Sequence, residues 1–318
     1  MSQYEIACPQ CLTQNSGSRL FCGRCKTILD PRTNLSLRIE DFQCSTDKEA
    51  LEILKSTGIL AYLVDQFLVK PSEQKKREWL SKHGVQTSLG DLDPLVQECA
   101  YSLSLTTLPE VYVIKCTGYP NAFTFGDDNT SIIVIDSRLV RTMTQNQLRA
   151  LLGHEMGHIK SKHLLYHNLA NTLAEGIGMS ISFFTSNMIT TATRLALLAW
   201  HRESEFTADR AALISSANPE HVASMFAKLS GQRPSESGVS DGASLLSGVA
   251  RAFQSHPNHL DRAKAVFHFS KSREYATIVE KISYRRIFRS AFSPNCRFCK
   301  AGKSVNSLFC PECGRSQI

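Results

Sequence analysis

The 318-residue sequence predicts an α+β fold. It is mainly helical, with a small β-sheet beside one central helix and a small cysteine-rich module at each end. Three observations predict this. Residues 148–163 read LRALLGHEMGHIKSKH, an apolar helical pattern carrying histidines four apart. Three short runs of β-branched and aromatic residues, punctuated by turn residues, stand immediately before it. Eight of the eleven cysteines fall in four CxxC pairs at the two ends.

From the N-terminus, Cys8-Pro-Gln-Cys11 is followed after ten residues by Cys22-Gly-Arg-Cys25. Two facing CxxC knuckles give a tetrahedral four-thiolate zinc site, and Gly23 suits the tight turn a knuckle needs. Residues 1–32 are therefore expected to form a zinc ribbon that takes most of its folding energy from the metal. A redox CxxC would need a βαβ context, which is missing. Cys44, Cys99 and Cys116 read as ordinary buried thiols.

Residues 33–90 read as a helical region, with one helix over about 47–69 and a charged one over 73–83. Asp93-Pro94 opens a further helix to about Leu105, Asp93 as N-cap and Pro94 in the first turn. Strands follow at 111–114, 121–125 and 131–135. The second, with Asn121, Ala122 and Phe123, is the candidate edge against which an extended substrate could lie; a purely structural strand is the competing account. Thr144 and Gln147 make a capping box for the central helix.

In that helix His154, Glu155, Met156, Gly157 and His158 fit HExxH. Residues four apart share a helical face, so the two imidazoles can meet one metal ion. Glu155, about 100° further round, can reach a metal-bound water as general base. HExxH alone also describes an amphipathic helix with solvated histidines. Here the apolar preceding turn and the two glycines, Gly153 and Gly157, argue for a buried helix with a close neighbour. The next helix, 194–215, places Glu205 and Asp209 one turn apart. Glu205 can complete a set of two His and one Glu. Asp209 can accept a hydrogen bond from the free ring nitrogen of a ligating histidine, His154 being the candidate.

Between Glu175 and Arg194 lie eighteen uncharged residues, but eight are Ser, Thr or Asn, so helices over the core are expected rather than a membrane span. Residues 231–248, rich in Ser and Gly, read as a loop that can cover a cleft. His256-Pro257 and Arg262 follow; a His or Arg near an open zinc position could stabilise an oxyanion, a role that spacing does not fix. Residues 281–294 read as a basic linker. Cys296-Arg-Phe-Cys299 and Cys310-Pro-Glu-Cys313 then repeat the N-terminal spacing, a second ribbon over 295–318. Residues 281–318 hold eight Lys/Arg and one Asp/Glu, so the whole net charge of +7 sits there. Such a tail can attract an acidic protein or nucleic acid. A solvated tail is the blander account.

These motifs, with Leu108-Pro-Glu-Val-Tyr-Val and Asn121-Ala-Phe before HExxH and Ser255-His256-Pro257 after it, give residues of about 92–268 a resemblance to the HtpX-like metallopeptidases. These belong to the gluzincin group that includes the CAAX prenyl protease. The resemblance implies a core over 91–280 acting as a zinc-dependent endopeptidase. His154, His158 and Glu205 would be the ligands, Glu155 the base and Asp209 the support behind a ligand. His256 and Arg262 would lie near the substrate carbonyl. One catalytic and two structural Zn2+ ions are expected, with a protein or peptide substrate. The alternative is a ribbon-based binding module with a latent or inactive core. Many relatives of this kind are integral membrane proteins. This chain is expected in the cytoplasm, with at most peripheral membrane contact, because the thiol pattern suits a reducing compartment and no leader or spanning helix is visible.

Overall fold

The structure, a computed structural model, describes residues 5–29, 36–56, 77–78, 80, 82, 85–86, 92–115, 121–126, 130–164, 166–167, 191–230, 259–291, 295–296, 298–303 and 309–316. In chain order these include β1 (Glu5–Ala7), β2 (Gln14–Ser16), α1 (Ser45–Ser56), β3 (Val85–Gln86), α2 (Leu92–Ser102), β4 (Glu110–Ile114), β5 (Ala122–Gly126), β6 (Ser131–Asp136), α3 (Ser137–Thr142), α4 (Gln145–Lys160), α5 (Thr191–Ser216), α6 (Pro219–Ser230), α7 (His259–Ser270) and α8 (Arg273–Ala291). The fold is α+β and mainly helical.

The three expected strands, joined by the short β3, form a four-stranded mixed sheet of order β3-β4-β6-β5. β4 runs parallel to β6, and β5 antiparallel to it with Thr124 opposite Ile133. Alternation divides its side chains. Val111, Ala122, Ile133 and Ile135 join the main helical core. Ile114, Phe125, Ile132 and Val134 pack with Leu80 on the other face. Among the described residues β5 is an edge strand, paired only with β6.

α4 starts where its sequence says. Thr144 Oγ1 accepts from Gln147 N and the Gln147 side chain accepts from Thr144 N, the reciprocal capping box. The glycines of α4 serve helix packing. A Cβ on Gly157 would come within 2.7 Å of Ala211 Cβ and 3.0 Å of Ala208 Cα, and one on Gly153 within 2.5 Å of Ser215 Cβ. The small faces of α4 and α5 thus bring the two backbones close enough for short side chains to share a centre. α2 starts one residue before Asp93, whose carboxylate accepts from Gln97 instead of capping.

One boundary differs from the sequence reading. Residues 281–291 are not a linker but the end of α8, which packs on the core. Arg285 donates to the Tyr101 carbonyl and to Ser104, Arg286 to Ser102, and Lys281 pairs with Asp41. Cations at the open carbonyls of the α2 C-terminus are favoured there. The N-terminal module, β1 with antiparallel β2 and its knuckles, docks on the core. Ile28 N donates to the Thr106 carbonyl and Leu108 N to that of Lys26, and Phe21 lies in the main core.

In both modules the cysteine sulfurs gather. Cys8–Cys25 and Cys11–Cys22 are 3.4 and 3.6 Å apart, and Cys296–Cys313 and Cys299–Cys310 are 3.7 and 3.6 Å apart. A thiolate tetrahedron about zinc has edges of about 3.8 Å, so both clusters fit the ion. The left-handed residue each knuckle needs is the one after its second cysteine, Leu12, Lys26, Lys300 and Gly314. Gly23 is not among them, so its expected turn role falls to Lys26.

The second half of the 47–69 helix, most of the 73–83 helix, the 168–190 segment, the 231–248 loop, Cys116 and His256-Pro257 lie outside the described residues. Among the described residues, no helix is long and apolar enough to cross a membrane.

Candidate metal centre and active site

One turn of α4 presents His154 and His158, and α5 supplies Glu205 opposite them. The Nε2 atoms of the two histidines are 3.2 Å apart. Glu205 Oε2 is 3.6 Å from His154 Nε2, and its Oε1 is 3.5 Å from His158 Nε2. All three residues are buried. Nitrogen and oxygen ligands of a tetrahedral zinc ion stand about 3.3 Å apart, so this donor set fits one ion.

Glu155, on the same turn, is held from the sheet. Thr124 Oγ1 donates to Glu155 Oε2 at 2.6 Å. Thr124 shares a face of β5 with Ala122, and that face meets α4. Asn121 and Phe123 are exposed, Phe123 on the opposite face. The edge strand that the sequence suggested for a substrate therefore also reaches the candidate base.

Behind the centre lie two chains of polar contacts. Asp209 Oδ1 is 3.0 Å from His154 Nδ1. Arg262 clamps Asp209 from the far side, Nε to Oδ2 at 2.7 Å and Nη2 to Oδ1 at 2.6 Å, and reaches Glu205 Oε2 with Nη1 at 2.9 Å. The Arg262 guanidinium also lies 4.6 Å over the Phe226 ring. So Arg262 sits buried beneath the carboxylates, 3% exposed, whereas the resemblance placed it near the substrate carbonyl. On the other histidine, His158 Nδ1 is 3.3 Å from His163 Nδ1. His163 Nε2 is 3.2 Å from Asp47 Oδ2, off the line of a good hydrogen bond. Asp47, on α1, accepts from Trp200 Nε1, Thr207 Oγ1 and Gln43 Nε2.

The proton positions follow from these partners. A lone pair on Nε2 requires the proton on Nδ1. His154 then donates to Asp209. His158 donates to His163, which is left with its own proton on Nε2, facing Asp47. Burial alone would lower the His154 pKa, but Asp209 and Glu205 outweigh it and raise it. Burial and the neighbouring His154 push His158 well below the usual histidine range, so it is neutral and able to ligate. Burial would raise Asp209, but Arg262 holds it below the usual carboxylate range. Burial likewise opposes ionisation of Asp47, and His163 and Thr207 reverse that.

Thr124, His163 and Asp47 escaped the sequence reading, as did His167, which lies beside His163, and His201, which lies beside His167. Only spacing could have found them: His163 and His167 are four apart, and His201, Glu205 and Asp209 repeat every fourth residue on α5. Nothing in the sequence ties Asp47 to this centre.

Fold and centre together present two histidines and one glutamate as a candidate donor set for one metal ion. The profile of Peptidase family M48 matches residues 87–269, and the chain belongs to that family. It is 31% identical over 215 residues to the plastoglobule-localized metallopeptidase 48, chloroplastic, of Arabidopsis thaliana, covering 62% of this chain and 61% of that one. It is 30% identical over 200 residues to a protease HtpX homolog of Syntrophobacter fumaroxidans, covering 51% of this chain and 70% of the other. The chain thus spans about three fifths of the Arabidopsis relative's length. The crystal structure of S. mikatae Ste24p overlaps 68% of this chain and 58% of its own at 16% identity, with a TM-score of 0.39.

Proposed function

We propose that the protein is a zinc-dependent endopeptidase acting on protein or peptide substrates. The carrying observation is the convergence of His154 Nε2, His158 Nε2 and the Glu205 carboxylate, with Glu155 on the same helical turn. His154, His158 and Glu205 hold the catalytic zinc in this reading, and each four-cysteine cluster holds a structural one. The bound zinc supplies Lewis-acid polarisation of the scissile carbonyl and a lowered pKa for water.

The chain's own residues do the rest. Glu155 takes a proton from the attacking water and returns it to the leaving amine. Thr124 fixes the rotamer from which it does so. Asp209 holds the His154 ring, and Arg262 holds Asp209 and Glu205, acting beneath the centre rather than on the oxyanion. The oxyanion role falls to His256. The substrate backbone lies along the open edge of β5, at Asn121, Ala122 and Phe123, as an added strand. Residues 1–32 and 295–318 are the ribbons, 33–90 the helical region and 91–280 the peptidase core. We place the protein in a reducing cytoplasm, where thiolates persist as metal ligands.

The test is hydrolysis of an unfolded protein and of blocked peptides by the zinc-loaded chain. Activity that falls with a chelator of catalytic zinc and returns with added Zn2+ is expected. Cleavage that survives removal of the His154/His158 metal would contradict the reading. Zinc-loaded protein that cleaves nothing, yet binds protein or nucleic acid, would favour the binding-module alternative.

A further inference from the structure

Beside the catalytic donors lie two histidines, His167 and His201, that the mechanism does not use. We propose that His167, His201 and Glu205 form a second metal site, taking a divalent first-row ion, zinc among them, and sharing Glu205 with the catalytic site.

Their donor atoms lie within 4.8 Å of one another. His201 and Glu205 are one turn apart on α5, the same spacing that lets His154 and His158 share a metal on α4. His167 comes from the turn after α4, its ring centroid 4.1 Å from that of His201. His201 and Glu205 are 3% and 1% exposed. The wall around them is aromatic, with the Trp200 ring edge-on to His167 at 5.3 Å between centroids. Imidazoles and carboxylate together suit zinc and its neighbours rather than calcium or magnesium.

Ser204 sets the tautomer. Its hydroxyl donates to the His201 carbonyl at 2.7 Å. The Ser204 oxygen therefore accepts from His167 Nε2–H, also at 2.7 Å, and Nδ1 is left as the lone-pair nitrogen of His167. This is how supporting groups prepare a ligating histidine. Glu205 has two oxygens, and carboxylates that bridge two metals are common in two-metal hydrolytic sites. Asp47, 0% exposed, faces His163 beside the cluster and adds negative charge to the site, whereas Asp209, one turn along α5 from Glu205, is already paired with Arg262. The proposal goes beyond the catalytic reading and has only Glu205 in common with it.

Zinc per chain, measured by elemental analysis on the full-length protein after equilibration with Zn2+ and removal of loosely held metal, is the test. About four equivalents are expected, against about three for one catalytic ion and two ribbons. His167→Gln and His201→Gln should each lose one equivalent. A wild-type value of three, or four that persist in both variants, overturns the proposal. Should one variant fail to fold, the wild-type count and the other variant decide. Failure of the catalytic reading looks different: the His154→Ala/His158→Ala protein would then hold as much zinc as wild type.

Discussion

Thr124 is the residue whose removal should be most informative at the smallest scale. Its hydroxyl makes a 2.6 Å hydrogen bond to Glu155 and touches no donor of the metal centre in doing so. A hydrogen bond to a charged group is worth about 1.5–3 kcal/mol, and each 1.36 kcal/mol is a factor of ten in rate. Thr124→Val should therefore keep zinc and fold while kcat falls by about tenfold or more. Unchanged kcat would mean that Glu155 is positioned by something else. Thr124 also shows why this layer was illegible beforehand. The strand at 121–125 could be read from its residue types, but which of its faces meets α4 is decided by pairing with β6 across the chain.

At the scale of elements, α4 and α5 carry the centre, and their small residues permit it. Gly153, Gly157, Ala208 and Ala211 bring two helices together so that a histidine pair and a glutamate share one point. That much could be read from HExxH, ExxxD and the alanines of α5. What could not be read is the contribution of α1. Asp47 precedes the family-matched segment and approaches His158 through His163, with Trp200 and Thr207 of α5 holding the carboxylate. Supporting groups behind a ligating histidine are worth about 10–100-fold in metal affinity. Asp47→Asn should weaken catalytic zinc binding by that order, measured by competition with a chromogenic chelator, and leave the helical circular dichroism unchanged. Equal affinity in the two proteins would confine Asp47 to packing α1 on α5.

At the scale of the whole molecule, the N-terminal module is part of the peptidase body. Its strand-like contacts at Thr106–Leu108 and its Phe21 in the core couple the metal cluster to the start of β4. Cys22→Ser should therefore lower the melting temperature of the core itself by at least about 2–4 °C, the shift for a loss of about 1 kcal/mol in a domain of this size. Calorimetry showing an unchanged core transition would make the module an independent appendage. The cysteine spacing announced both four-cysteine clusters. It did not announce docking, because that depends on Phe21 and a few backbone groups with no motif. The basic segment misled for a related reason. Lys281, Arg285 and Arg286 look like a solvated run in sequence, yet α8 lays them on Asp41 and on the end of α2.

The central claim is that Glu155 acts as a base beside a zinc ion that it does not itself bind. Glu155→Gln tests it most directly, with zinc content and peptide hydrolysis measured on the same preparation. The account predicts wild-type zinc and hydrolysis lower by about 10²–10⁴-fold, the range for loss of a general acid–base group. Hydrolysis at the wild-type rate with zinc bound would contradict it.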